Sequence, residues 1–211
     1  DARTARALTY WCRSLEMDGI GEKLIEALLE SGLVTSISDL YRLEHAQIAD
    51  LERMGNKSAY NVLDELAKSR TLVLNKFLHA LGMERIGPEV AVTLSQHFIG
   101  IVPLLEWAEN GGNEEITSID GIGEKVADIF RNGLLSRIEL IRELSEIITI
   151  TDELEASSGV FTGLTFCITG SHSKPRKEIG LAIKNAGGKV VSSVSGNLNI
   201  LVAGEKAGSK L

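Results

Sequence analysis

The chain has 211 residues, 44% of them apolar and only 5% aromatic, with a formal net charge of −7. That is room for one large domain or two small ones with aliphatic cores. The absence of any run of about 18 apolar residues argues against a membrane-spanning helix. Nothing at the start reads as a secretory signal. Two distant cysteines and four scattered histidines show no metal-ligand spacing, which points to a reducing cytoplasm. The charge is unevenly divided: residues 1–158 carry 15 Lys+Arg against 27 Asp+Glu, a net of −12, and residues 159–211 carry 7 against 2, a net of +5. Such asymmetry predicts two modules. It also denies the first a basic field, so any nucleic-acid contact there must be local.

Ala2 to Leu15 reads as a helix with Ala7, Leu8, Trp11 and Leu15 on one stripe. Asp18-Gly19-Ile20-Gly21-Glu22-Lys23 follows and opens a helix carrying Leu24, Ile25, Leu28 and Leu29, which closes at Ser31-Gly32 as a glycine C-cap does. Short helical pieces are expected over 36–43 and 44–51. Met54-Gly55-Asn56-Lys57 is a turn, and Ser58 to Lys68 a helix with Ala59, Val62, Leu63 and Leu66 inward. Leu72 to Leu81 reads as helix. Arg85-Ile86-Gly87-Pro88 is again a turn, its proline suited to the first helical position. Helices over 89–98 and 102–109, then an Asn110–Asn113 loop, lead to a verbatim second copy of the phrase, Asp120-Gly121-Ile122-Gly123-Glu124-Lys125. Val126, Ile129, Phe130 and Leu134 recur after it, and Ser136 to Ile148 is a closing helix.

The turns centre on Gly21, Gly55, Gly87 and Gly123, which stand 34, 32 and 36 residues apart. A period of that size signals an array of helix–turn–helix units that stack to bury their apolar faces. Two glycines around one apolar residue have a physical purpose. Glycine reaches backbone angles closed to other residues and admits a close neighbour, while the first amides of the new helix have no partner within it. Those amides and the helix dipole together make an anion site. At the second and third turns Arg53 and Arg85 replace the leading glycine, so these are expected to be weaker anion sites or purely structural.

Residues 151–159 are acidic, then Ser/Gly-rich, and read as a linker. Beyond them the period changes. Leu164 to Thr169 is a strand, Pro175 to Ala186 a helix stopped by Gly187-Gly188, and Lys189–Ser192 and Asn199–Val202 are strands. Strand–helix–strand of this length is a right-handed parallel unit. Trp11, Trp107 and Cys12 fall on apolar faces and read as core. Glu114-Glu115 and Asp152-Glu153 are paired carboxylates expected in exposed loops, and His172 has no nucleophile or metal partner in view. No catalytic constellation stands out.

The four turns, followed by Phe161-Thr162-Gly163-Leu164 through Thr169-Gly170, Gly187-Gly188-Lys189-Val190, Ser192 to Ser195, Leu201 to Glu205 and Ala207 to Leu211, resemble the C-terminal half of the bacterial NAD-dependent DNA ligases. The resemblance covers essentially the whole chain. It implies a mainly α fold: a helix-hairpin-helix domain of four repeats over 1–150, a linker over 151–159, and a small α/β BRCT domain with a parallel sheet over 160–211, cut short at its C-terminus. It implies a DNA-binding region that grips the backbone of nicked duplex without reading bases. NAD, magnesium and zinc belong to domains of the parent enzyme outside this sequence, so no cofactor is expected here and the piece alone should not ligate. A bacterial cytoplasmic monomer is expected.

Carried onto this sequence, the resemblance has the amides of Gly19, Gly21, Gly121 and Gly123 facing phosphates, with Lys23 and Lys125 adding charge. Gly55 with Lys57, and Gly87 with Arg85, make the weaker pair. In the second module Thr169, Gly170 and Lys210 match the phosphate pocket of related BRCT domains, with Ser171 beside them, although Thr-Gly is also simply a turn such a fold requires. Lys174, Arg176 and Lys177 are a further cationic cluster. The reading from another class is a protein-interaction scaffold, in which the BRCT module captures a phosphorylated partner.

Overall fold

The computed structural model describes residues 2–151, 159–191, 194 and 198–205, with the side chains of 177, 181, 184 and 185 outside that description. The chain divides into two compact units, Asp1–Asp152 and Glu153–Leu211.

The first unit is helical. Its elements are α1 (Ala2–Ser14), α2 (Glu22–Glu30), α3 (Ile37–Leu40), α4 (His45–Ala49), α5 (Asn56–Lys68), β1 (Thr71–Val73), α6 (Leu74–Ala80), α7 (Pro88–His97), α8 (Ile101–Asn110), α9 (Glu114–Thr117), α10 (Glu124–Leu135), α11 (Ile138–Ile147) and β2 (Thr149–Thr151). Helix α1 buries Leu8, Trp11 and Cys12. Ala7, expected on that stripe, is exposed, and Cys12 takes its place. Gly32, at φ +72°, ends α2 as a left-handed glycine should. Glu114 and Glu115, expected in a loop, open the one-turn helix α9 and are exposed as anticipated.

The helix expected over 72–81 starts two residues late, because Thr71–Val73 pairs in parallel with Thr149–Thr151. Both segments are β-branched or nearly so, which suits an extended backbone. Neither has a strand's length, and each exists because the other supplies its ladder; the amide of Thr149 donates to the Arg70 carbonyl at 2.7 Å.

The core is continuous from Leu8 to Ile148. Trp11 lies edge-on to Phe77 with ring centroids 5.9 Å apart, and its indole N–H donates to the Tyr41 hydroxyl at 3.1 Å. Tyr41 and Ser69 hydroxyls are 2.9 Å apart, and Ser69 donates to the Leu66 carbonyl at 2.9 Å. Each buried polar group in that chain is therefore satisfied, as burial demands. Arg131 caps the end of α8 by donating to the carbonyls of Ala108 and Trp107 at 3.1 and 3.0 Å, and its guanidinium sits 5.0 Å from the Trp107 ring centroid.

The second unit contains β3 (Thr165–Thr169), α12 (Arg176–Asn185), β4 (Lys189–Val191) and β5 (Ile200–Ala203). The strands are parallel in the order β4–β3–β5, the strand–helix–strand arrangement anticipated. Phe166, Ile168 and Ile183 form its buried core, with Phe161, Ile179 and Val190 half-buried around them. Most of the expected linker (152–158) and the residues from 206 onward, Lys210 included, lie outside the described residues.

Candidate nucleic-acid interface

The four turns share one frame: an acidic residue, a variable one, an apolar one and a glycine, as in Asp18-Gly19-Ile20-Gly21, Glu52-Arg53-Met54-Gly55, Glu84-Arg85-Ile86-Gly87 and Asp120-Gly121-Ile122-Gly123. The apolar residue pins each turn to the core. Ile20, Ile86 and Ile122 are buried, and Met54 packs partly buried against the same cluster. The variable residue is left-handed in every case, at φ +76° for Gly19, +62° for Arg53, +62° for Arg85 and +84° for Gly121. Arg53 and Arg85, where the leading glycine is replaced, adopt the conformation glycine would take. Each does so against a steric cost of roughly 1–2 kcal/mol.

The glycine that closes each frame behaves differently. Gly21, Gly55, Gly87 and Gly123 are the N-caps of α2, α5, α7 and α10, all with extended backbone. A Cβ built on any of them meets nothing within 4 Å. Neither backbone angle nor internal packing calls for glycine there. A serine, aspartate or asparagine would serve the helix at least as well by capping it, yet no side chain caps any of the four. A bare N-cap repeated four times leaves room for something outside the fold to approach the main chain.

The amides are available. Among the described residues, no hydrogen bond takes up the N–H groups of Gly19, Gly21, Glu22 and Lys23, or those of Gly121, Gly123, Glu124 and Lys125. Gly19, Gly21, Gly121 and Gly123 are exposed; Gly55 and Gly87 are half-buried. Lys23, Lys57 and Lys125 are exposed, and among the described residues no carboxylate is within ion-pairing reach of them. Arg53 and Arg85 pair loosely with their neighbours Glu52 and Glu84, at 3.6 and 3.9 Å, contacts worth little in water. The first two turns meet at a hollow of about 720 Å³ lined by Gly19, Gly21, Lys23, Arg53 and Met54. From sequence Arg53 reads as a replacement for the leading glycine and not as a contact residue. The signal for it is the shared four-residue frame, in which Arg53 stands where Gly19 and Gly121 do.

In the second unit Thr169 is buried at the end of β3. Gly170 is left-handed at φ +83°, and a Cβ there would strike the Gly204 carbonyl oxygen at 2.7 Å. Ser171 and Glu205 exchange backbone hydrogen bonds of 2.7 and 2.9 Å across the same point. Structure alone accounts for this glycine, unlike those of the four turns. Lys174 pairs with Glu178 at 2.9 Å, and Arg176 donates to the Gly170 carbonyl at 3.3 Å. The third candidate of the pocket, Lys210, lies outside the described residues, as does the side chain of Lys177. His172 faces the Thr169 carbonyl, 2.9 Å from its Nε2.

Among the described residues no three of His, Cys, Asp and Glu gather as a metal-ligand set, and no single helix is long and apolar enough to cross a membrane. The chemistry this arrangement offers is the binding of anions by main-chain amides.

Comparison with known proteins agrees with that architecture. Residues 15–68 match the SAM-like Helix-hairpin-helix tandem family and residues 156–211 the BRCA1 C Terminus (BRCT) domain family. The chain is 39% identical over 216 residues, 97% of its length, to a protein named DNA ligase from Synechococcus sp. strain RCC307. It is 36% identical to the DNA ligase of Bacillus subtilis over 94% of its length, and 36% identical to that of Helicobacter pylori strain HPAG1 over 100%. It spans only 31%, 30% and 32% of those three relatives. Over essentially its whole length, therefore, the chain is similar to about a third of proteins named DNA ligase, and two of its stretches match the helix-hairpin-helix and BRCT families.

Proposed function

We propose that the first unit holds nicked double-stranded DNA through the phosphate backbone, as one part of an NAD-dependent DNA ligase that seals nicks in replication and repair. The lysine adenylation, the transfer of AMP to the 5′-phosphate and the attack of the 3′-hydroxyl belong to other parts of such an enzyme, and this stretch by itself is inactive. The observation that carries the reading is the set of four uncapped helix N-termini whose glycines the fold does not require. Free amides plus the helix dipole bind phosphate oxygens, and phosphate contacts position a protein without reading sequence. That suits an enzyme whose substrate is a break at any sequence.

The acidic balance of the unit sets the character of the binding. With 15 Lys+Arg against 25 Asp+Glu over residues 1–152, a net of −10, long-range attraction is lacking, so affinity rests on short-range hydrogen bonds from main chain to charged oxygen. Each is worth about 1.5–3 kcal/mol. Counterion release then comes from the few flanking cations, and the salt slope should correspond to only a few phosphates at roughly 0.9 each.

The test is Gly21→Ser with Gly123→Ser, measured with the full chain on nicked duplexes of unrelated sequence. Serine caps a helix, so stability should hold or rise by a few tenths of a kcal/mol. Its hydroxyl fills the amides that a phosphate would take, so affinity should fall about tenfold or more for every sequence alike. Unchanged affinity at low salt would sink the assignment.

A further inference from the structure

The four turns are not equal in charge. Taking each frame with the three helical residues that follow it, residues 18–24, 84–90 and 120–126 each hold one cation against two carboxylates, a net of −1. Residues 52–58 hold two cations, Arg53 and Lys57, against Glu52 alone, a net of +1. The difference lies at the helix start: α2, α7 and α10 each carry a glutamate in the first turn, and α5 carries no acid there. A carboxylate so placed repels a phosphate seated on the neighbouring amides, and the second turn alone is free of it. The same place bears an aromatic group. Among the described residues Tyr60 is the only exposed Phe, Trp or Tyr, at 60%. It stands five residues beyond Gly55, where the other turns have Glu26, Val92 and Asp128. A helical side chain leans toward the N-terminus of its helix and covers the turn before its own Cα, which directs Tyr60 back toward Asn56 and Lys57. His45, from α4 on the far side of the turn, holds it there. The two ring centroids are 4.2 Å apart, and Nε2 of His45 lies 3.3 Å from the Asn56 carbonyl oxygen. The tyrosine ring is therefore backed by the fold yet open to solvent.

We infer that Tyr60 packs its ring against a deoxyribose of the strand whose phosphate the second turn holds, with Lys57 beside it on that phosphate. The inference rests on the phosphate-binding reading of the turns and adds a contact residue to it. Lys57 and Tyr60 are three residues apart on α5 and so share a face, and Tyr60 lies about one helical turn from the first amides of that helix. In nucleic acid the group next to each phosphate is a sugar, whereas the faces of paired bases are stacked inside the duplex. A ring at that separation from a bound phosphate meets the sugar. The contact is apolar and indifferent to sequence, as the phosphate contacts are. It supplies at the second turn a short-range attraction that the acidic surface around it does not cancel.

The experiment measures binding of the full chain to nicked and intact duplexes over a salt series. The variants are Tyr60→Ala, Tyr60→Phe, Lys57→Gln and, for the reading beneath them, Gly21→Ser with Gly123→Ser. Alanine is the best helix former and Tyr60 is exposed, so Tyr60→Ala keeps its fold. It should weaken binding to both duplexes about fivefold or more and leave the salt slope unchanged, since the contact carries no charge. Tyr60→Phe should bind as the parent does, and Lys57→Gln should reduce the slope by about 0.9. Parent-like affinity in Tyr60→Ala beside a weakened glycine double variant overturns the sugar contact and leaves the phosphate reading standing. Equal losses in the alanine and phenylalanine variants, or a loss confined to the nicked duplex, overturn it too, by pointing to the hydroxyl or to an end base. Parent-like affinity in Tyr60→Ala and in the glycine double variant together removes both.

Discussion

Arg53 holds the left-handed conformation of Gly19, at φ +62° against +76°, and the two residues line one hollow between successive turns. A bulky residue kept where glycine belongs costs roughly 1–2 kcal/mol, and such strain persists only where the surrounding structure holds it in place. Arg53→Gly should therefore raise the unfolding free energy by about 1 kcal/mol while lowering affinity for duplex and reducing the salt slope by about 0.9. Arg85→Gly should behave alike. A gain in stability with no loss of binding would make the arginines incidental. Denaturant titration and a salt series on the same protein separate the two outcomes.

A second expectation concerns acid. The Glu143 carboxylate accepts from Arg42 at 2.7 Å and from the buried Ser38 hydroxyl at 2.8 Å. The hydrogen bond from Arg42, and after it that from Ser38, hold its pKa below the ordinary glutamate value of 4.5. A carboxyl depressed on folding adds stability above that value and loses it as the pH falls through the folded pKa. Glu143→Gln should be less stable than the parent at neutral pH, and the two should converge in acid. Parallel stability curves from pH 7 down to 3 would contradict this.

Cys12 offers a probe of opening in the first unit. It is 1% exposed, and burial pushes its thiol up to about 12. The thiolate is the reactive form, so alkylation of Cys12 at neutral pH should track unfolding. Peptide mass spectrometry across a denaturant series checks it; rapid labelling of folded protein would show the α1 packing to be wrong.

The two units should differ in local stability. One has a continuous core reaching from Leu8 to Ile148, the other a described core of Phe166, Ile168 and Ile183. Small cores are marginal, and amides open at the free energy of the unit that protects them. Exchange at β3 should be on the order of tenfold or more faster than in α10. Equal protection would mean that the smaller unit draws support from elsewhere.

Much of this architecture can be read before any coordinates exist, because it is local. Glycine frames, 3.6-residue periodicity and the Gly32 stop each need only a few neighbouring residues. What escapes is set by distance or by conformation. β1 and β2 are too short to declare themselves and exist through each other. Arg53 reads as an interruption because residue type predicts glycine at φ +62°, and only the fold around it overrides that preference. The packing of His45 on Tyr60 joins two helices across the second turn, and the periodicity of neither helix contains it.

The pairing of Thr71–Val73 with Thr149–Thr151 also makes the larger unit tolerant of a break. Strands 78 positions apart that bond directly stitch the last segment of the unit to its middle, so a cut between Asn110 and Glu114 would leave two pieces sharing a ladder and an apolar seam. Mixed as separate peptides, those halves should find each other and regain helicity. Removing only the final three-residue strand should forfeit that complementation, since rejoining would then have to bear its ordering entropy without the ladder.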